Sequence, residues 1–277
     1  MRFLDAAATR AALPMLEAIA AMEVAFGDDR EVPTRTLLGC SLFMPGRVGR
    51  ITGIKVVSIV PGHPSGIVIV FDEQGEPMGA VDGPTLTSIR TGAASGLATR
   101  LLARPDARVL AMLGAGAMAF DQIEAVRAVR PIEKVLVWSR TSARAQTLAD
   151  QVGGEVVPDP SGAVGQADVV SCATPSRTPL FSDDDVRPGT HINAVGAFTP
   201  EMVEVPPETV HRAYVVVDDL VAAGQEAGDL LQAGRPPVCT IGDVIAGRHP
   251  QIGEDVTLFK SVGIASQDVA AAARALL

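Results

Sequence analysis

The stretch RVLAMLGAGAMAFDQ at 108–122 decides the fold. An apolar run leads into Gly114-Ala115-Gly116-Ala117-Met118-Ala119, which matches the pattern G-x-G-x-x-[GA]. Each small residue has a steric task. Gly114 permits a tight turn from strand to helix, Gly116 lets the backbone approach a pyrophosphate, and Ala119 allows the helix to pack closely on the strand. The helix start offers free amide donors and the positive end of a dipole to phosphate. A second apolar strand, KVLVW at 134–138, begins about 20 residues further on, which is the context the motif requires. A Rossmann-type domain binding a nicotinamide dinucleotide is therefore predicted, with Gly114, Ala115, Gly116, Ala117 and Met118 forming the cofactor loop. An NAD-preferring domain places an acid at the end of the second strand. Here the chain has Ser139, Arg140 and Thr141, a cation between two hydroxyl donors, which suits a 2′-phosphate. NADP(H) is expected over NAD(H).

Outward from this turn, short apolar segments at 155–157, 168–173, 191–194 and 214–217 alternate with helices or loops. That alternation indicates a parallel, doubly wound sheet. Before residue 104 the texture differs. Residues 11–26 carry apolar side chains at helical spacing, 53–60, 66–72 and 77–82 read as extended, and 84–103 reads as a long helix. Glu73-Gln74-Gly75-Glu76 is a hairpin turn in that reading. The fold class is thus α/β. A central Rossmann domain at 105–256 joins a smaller α+β domain at 1–104, which an alanine-rich helix within 257–277 completes.

Composition narrows the function. Aromatics are 4% of 277 residues, so the core rests on Val, Leu, Ile and Ala, as buried parallel strands require. The formal net charge of −9 and the lack of a basic cluster argue against nucleic acid and anionic membranes as partners. No apolar run reaches the roughly 20 residues of a membrane span, and Arg2, Asp5 and Arg10 interrupt any signal-peptide pattern. Cys40, Cys172 and Cys239 lack metal-type spacing and read as buried thiols. A soluble cytoplasmic protein is the expectation. Asp183-Asp184-Asp185 reads as a charge cluster at a helix N-terminus, with no metal-ligand set beside it. His191, His211 and His249 read as structural or surface residues, and His63 as a possible contact at a pocket mouth.

Several segments together resemble the ornithine cyclodeaminase/mu-crystallin family. They are Arg35-Thr36 with Met44-Pro45, GIKVVSIVPGHP at 53–64, LTSIRTGAASGLATRLLA at 86–103, GAGAMAFDQ at 114–122 and VWSRT at 137–141. CATPS at 172–176, NAVGAFTP at 193–200, AGDLLQAG at 227–234 and FKSVGIASQDVAAA at 259–272 follow in the family's order. The resemblance implies a homodimer acting on a small amino or imino acid, with hydride passing between nicotinamide and the α-carbon. It also implies cofactor contacts at Thr91, Ala173, Thr174, Val195 and Val262.

Arg35, Lys55 and Arg90 match the family's carboxylate-binding set. Chemically that fits, because an α-imino acid presents a carboxylate that cations can orient. Lys55 lies within an apolar strand, where a lysine is unusual unless paired. Lys55 and Arg90 are the candidate catalytic residues. Two positions depart from the cyclodeaminase pattern: Leu42 and Phe198 stand where ornithine cyclodeaminases carry a glutamate and an aspartate. Phe198 becomes a substrate-side contact suited to an apolar side chain. The resulting expectation is reduction of a cyclic ketimine or small α-imino acid, with ornithine cyclodeamination or a non-catalytic NADPH-bound ligand carrier as alternatives.

Overall fold

In the computed structural model, which describes residues 2–60, 65–250 and 255–277, the N-terminal apolar run is not one helix. After strand β1 (Phe3–Leu4), α1 (Ala6–Ala12) ends at Leu13, and α2 (Met15–Phe26) starts beyond Pro14. Pro14 has no N–H with which to continue a helix, and its ring disfavours a helical conformation at Leu13. Strands β2 (Arg30–Glu31), β3 (Thr36–Leu38), β4 (Ser41–Val48), β5 (Ile51–Ser58), β6 (Gly66–Phe71) and β7 (Pro77–Asp82) follow. They form a sheet in the order β1-β7-β6-β5-β4-β2, with β3 also paired to β4. β4 is not among the expected strands, because Pro45 and Gly46 break its pattern. The β6–β7 turn closes on Asp72, whose Oδ1 accepts from the amides of Gln74 and Glu76 at 2.9 Å each, while Gly75 takes a φ of +81°. Asp82 then caps α3 (Gly83–Leu102) by accepting the Thr85 amide at 2.9 Å.

The chain continues through β8 (Val109–Leu113), α4 (Ala119–Val129), β9 (Lys134–Trp138), α5 (Ser142–Val152), β10 (Glu155–Val156), α6 (Pro160–Val164), β11 (Val169–Cys172) and β12 (His191–Ala194). Next come α7 (Pro207–Arg212), β13 (Tyr214–Val217), α8 (Leu220–Glu226), α9 (Gly228–Ala233), β14 (Cys239–Thr240), α10 (Ile241–Ile245), β15 (Thr257–Lys260) and α11 (Ala265–Leu276). The eight strands β8–β15 form a parallel sheet in the order β10-β9-β8-β11-β12-β15-β13-β14. Strand order reverses between β8 and β11, the place where open α/β sheets bind ligands. Two compact units result: Met1–Ala94 with Gly263–Leu277, and Ser95–Val262. Against the sequence reading, the division falls inside α3 rather than after it, and β15 belongs to the parallel sheet. Thr257–Lys260 is a buried strand, with a polar residue at each end, whose last position in the chain hides its place between β12 and β13.

Cys172 and Cys239 are buried, but Cys40 is exposed in the β3–β4 turn, contrary to expectation. His191 is fully buried and neutral, its pKa driven down to about 3 by desolvation. Its ring bridges Thr257 Oγ1 at 2.9 Å and Asn193 Oδ1 at 3.1 Å. The acid cluster at 183–185 forms a 3-10 turn in which Asp183 Oδ1 accepts from Thr209 Oγ1 and Arg212 Nε at 2.6 and 2.8 Å. Among the described residues, no helix is long and apolar enough to cross a membrane. His63 lies outside the described residues.

Helix α11 is buried on nearly every side, packing on α2 and on strands β4 to β7. Its alanines suit that place, since small side chains bring helix and sheet close. Gly46 and Gly53 are cross-strand partners beneath it. A Cβ on Gly46 would lie 2.9 Å from Ala265 Cβ and 3.2 Å from the Ala265 carbonyl carbon, so the helix itself would have to shift. Gly46→Ala is expected to lower stability by about 1–3 kcal/mol. The check is a lower urea midpoint at unchanged m, and a midpoint equal to wild type would refute this close-packing account.

Candidate functional site

The parallel sheet shapes a cleft where its strand order reverses. Gly114 follows β8 with a φ of +111°, and a Cβ there would strike Ala173 O at 2.8 Å. Glycine thus meets both demands, a left-handed backbone and close contact with the loop leaving β11. A Cβ on Gly116 would meet nothing within 4 Å, so the cleft side of this turn has room for a phosphate beside the start of α4. Ala119 is fully buried against the sheet, as the motif requires. Gly114, Ala115, Gly116, Ser139, Arg140, Thr141, Ala173 and Thr174 all line the cleft. Trp138 and Arg144 line it too. Arg144 stands in the first turn of α5, four residues beyond Arg140, and both guanidinium groups are exposed. No acid occurs among the lining residues. These groups fit a nicotinamide dinucleotide.

Ala117 and Met118 are not among the cleft-lining residues; Ala117 is exposed and Met118 packs on the core beside α4. Val195 follows β12 with its amide donating to Cys172 O, and the Val262 amide donates to Asp218 Oδ2 at 2.9 Å. Phe198 is 47% exposed in the loop after β12, so it is not a core residue.

In the other unit the three cations converge. Lys55 sits mid-strand on β5 and is 4% exposed. Its Nζ donates to Asp268 Oδ1 at 3.3 Å and Oδ2 at 3.4 Å. Arg90, on α3, donates from Nε to the same Oδ1 at 3.1 Å and from Nη1 to Gln267 Oε1 at 2.8 Å. Thr91, its neighbour, turns its hydroxyl to Thr87 O at 2.7 Å. Arg35 precedes β3 and donates from Nη2 to Gly263 O at 2.7 Å. Gly263 also abuts Arg90, because a Cβ there would lie 2.9 Å from Arg90 Nη1. Burial pushes the Lys55 ammonium down to about 8; the Asp268 charge opposes that shift, while Arg90 and Arg35 add to it. Leu42 lies two residues from Met44, the cross-strand partner of Lys55, and so shares the sheet face of Lys55. A carboxylate at position 42 would have pointed to this face, and the chain has an apolar group instead.

Asp268 was not foreseen from the sequence. Its one signal is an acid placed among alanines on a helix that is otherwise apolar or small, in ASQDVAAAARAL. Gln267 supports the same site by accepting the Ile264 amide at 2.9 Å as well as Arg90.

Among known proteins, the chain is 38% identical over 241 residues to a Delta(1)-pyrroline-2-carboxylate reductase of Bacillus cereus, covering 78% of this chain and 74% of that one. The structure of the Thermococcus litoralis Delta(1)-pyrroline-2-carboxylate reductase in complex with NADH and L-proline superposes with a TM-score of 0.92 at 30% identity, covering 100% of this chain and 96% of that one. An archaeal alanine dehydrogenase dimer with bound NAD gives a TM-score of 0.92 at 31% identity, covering 99% and 94%. The profile of the ornithine cyclodeaminase/mu-crystallin family matches residues 33–275, and the chain belongs to that family.

Proposed function

We propose that the chain is an NAD(P)H-dependent reductase that forms an amino acid from a small α-imino or cyclic ketimine carboxylic acid. The observation that carries this reading is the gathering of Lys55 and Arg90 on one carboxylate, Asp268, with Arg35 bonded to the Gly263 carbonyl that abuts Arg90. Two buried cations on one carboxylate leave positive charge for an anionic substrate. Lys55 and Arg90 orient the substrate carboxylate, with Arg35 as the third contact. The bound nicotinamide supplies the hydride. A ketimine that arrives protonated needs orientation more than a strong general acid, which suits Leu42 standing in place of an acid; Phe198, half-exposed, is the proposed contact for an apolar substrate side chain. The two cleft arginines, Arg140 and Arg144, support NADPH over NADH. The reading extends to a cytoplasmic homodimer, in line with the dimeric state of the archaeal alanine dehydrogenase.

Nicotinamide absorbance with Delta(1)-pyrroline-2-carboxylate, piperideine-2-carboxylate, and pyruvate plus ammonia tests the reaction. Turnover of at least one is expected; tight NADPH binding with no turnover of any would sink the reading, and ammonia release from ornithine would replace it with cyclodeamination.

Arg140→Glu is expected to raise KM for NADPH by about tenfold or more and to lower KM for NADH, because an acid at the end of β9 repels a 2′-phosphate. Unchanged KM values for both would remove Arg140 from the cofactor site.

Since the clamp needs the Lys55 ammonium, kcat/KM should fall as pH rises through about 8. Asp268→Asn withdraws the charge that holds the Lys55 pKa up, so its alkaline limb should move to lower pH. A limb that stays in place would show that another group titrates.

A further inference from the structure

The parallel-sheet unit buries a second carboxylate system that the proposed chemistry does not use. Glu204 lies in the segment before α7 and is fully buried. Its Oε1 accepts from the Thr174 amide at 2.6 Å and the Thr174 hydroxyl at 2.8 Å. Its Oε2 accepts from the amides of Gly196 and Ala197 at 2.8 and 3.0 Å. One side chain therefore joins the loop leaving β11 to the loop leaving β12, both at the carboxyl edge of the sheet. The loops already touch, because a Cβ on Gly196 would fall 2.1 Å from the Thr174 amide nitrogen and 2.6 Å from Glu204 Oε1. Thr174 in turn lines the dinucleotide cleft beside Gly114 and Gly116.

Behind Glu204 a further pair holds the acid in place. Asp229 Oδ1 accepts the amides of Glu204 and Val205 at 2.6 and 2.9 Å. Lys260 Nζ meets Asp229 Oδ2 at 2.7 Å and also donates to Ala197 O. All three ionisable side chains are buried. Burying three ionisable side chains is costly unless each is paired or hydrogen-bonded, as these are.

We propose that Glu204 is a positioning residue for the cofactor: by clamping Thr174 to Gly196 and Ala197, it fixes the wall of the dinucleotide cleft. The role rests on the dinucleotide reading above. Four donors converge on Glu204, two per oxygen, and only a carboxylate accepts from all of them. A glutamine presents NH2 to one of the two loops and so releases it. Protonation does the same by turning one oxygen into a donor. Burial pushes the Glu204 carboxyl up to about 7, opposed by Lys260 from β15 and assisted by Asp229 from α9. The Cys172 thiol of β11, itself pushed up by burial and by both carboxylates, is the other titratable group there. At pH 8 the clamp is closed, and at pH 6 it is largely protonated.

The chain's one tryptophan, Trp138, lines the same cleft, so energy transfer from Trp138 to bound NADPH or NADH reads cofactor binding directly. Glu204→Gln should weaken NADPH binding by about tenfold or more at pH 8, with KM for the cofactor raised more than kcat is lowered. The ratio of the E204Q Kd to the wild-type Kd should shrink towards one at pH 6, a comparison that cancels titration of the ligand itself. Glu204→Asp keeps the charge facing Lys260 but is too short to bridge both loops. It should also weaken binding at pH 8, and it serves as the test if the glutamine variant does not fold. A purely structural role would lower the melting temperature of either variant while leaving Kd unchanged at 25 °C. Both variants binding within about twofold of wild type at pH 8 overturns the assignment of Glu204 alone. Wild-type protein that shows no transfer with either nucleotide overturns the dinucleotide reading, and the role of Glu204 goes with it.

Discussion

Asp268 holds two cations from distant parts of the chain beneath a helix that is itself enclosed. Lys55 reaches it from a strand and Arg90 from a helix, and neither cation has much water around it. Removing one partner from such a buried group costs about 3–5 kcal/mol, because the charge left behind has no compensation. The site and the fold of this unit therefore depend on the same carboxylate. The close approach of α11 to Gly46 and Gly53 brings Asp268 within reach of Lys55. A bulkier sheet face would hold the helix off and open both ion pairs together.

The arrangement also sets the sign of the site. Lys55 and Arg90 outnumber the acid they share, and the Lys55 ammonium is already weakened by burial. An incoming carboxylate restores balance, which favours an anionic ligand more than the cations' position alone would. Leu42 on the Lys55 face adds no second acid. A substrate ammonium at that position would be desolvated without a partner, whereas an apolar ring or a short aliphatic chain would not.

Much of this was legible in the sequence, for a local reason. Gly114, Gly116 and Ala119 form a contiguous motif between a strand and a helix, and the absence of an acid at Ser139–Thr141 is read directly from the residues present. Lys55 was conspicuous as a charge inside an apolar strand. Its partner was not, because Asp268 lies 213 residues away, and no local rule links the two. Glu204 was invisible for the same reason: its acceptors serve backbone amides, which carry no sequence signature. β15 was hidden by topology, since the last strand of the sheet enters between two earlier ones. Pro14, by contrast, carried a readable break in the N-terminal helix that the apolar spacing around it outweighed.

Two buried carboxylates, one in each unit, do opposite electrostatic work. Asp268 accepts from side-chain cations and raises the proton affinity of Lys55 against the effect of burial. Glu204 accepts chiefly from neutral amides and a hydroxyl, and its own carboxyl rises to about 7 because burial outweighs the help of Lys260. The charge around the two acids also differs. At Asp268 the cations are in excess, whereas around Glu204 two carboxylates face one lysine. A site that must hold an anion keeps surplus positive charge, while a clamp that must only hold backbone can tolerate a surplus of acid. Burial, only partly offset by Lys260, brings the Glu204 carboxyl up to about 7, so the protonation of one side chain is tied to the two loops whose amides it accepts.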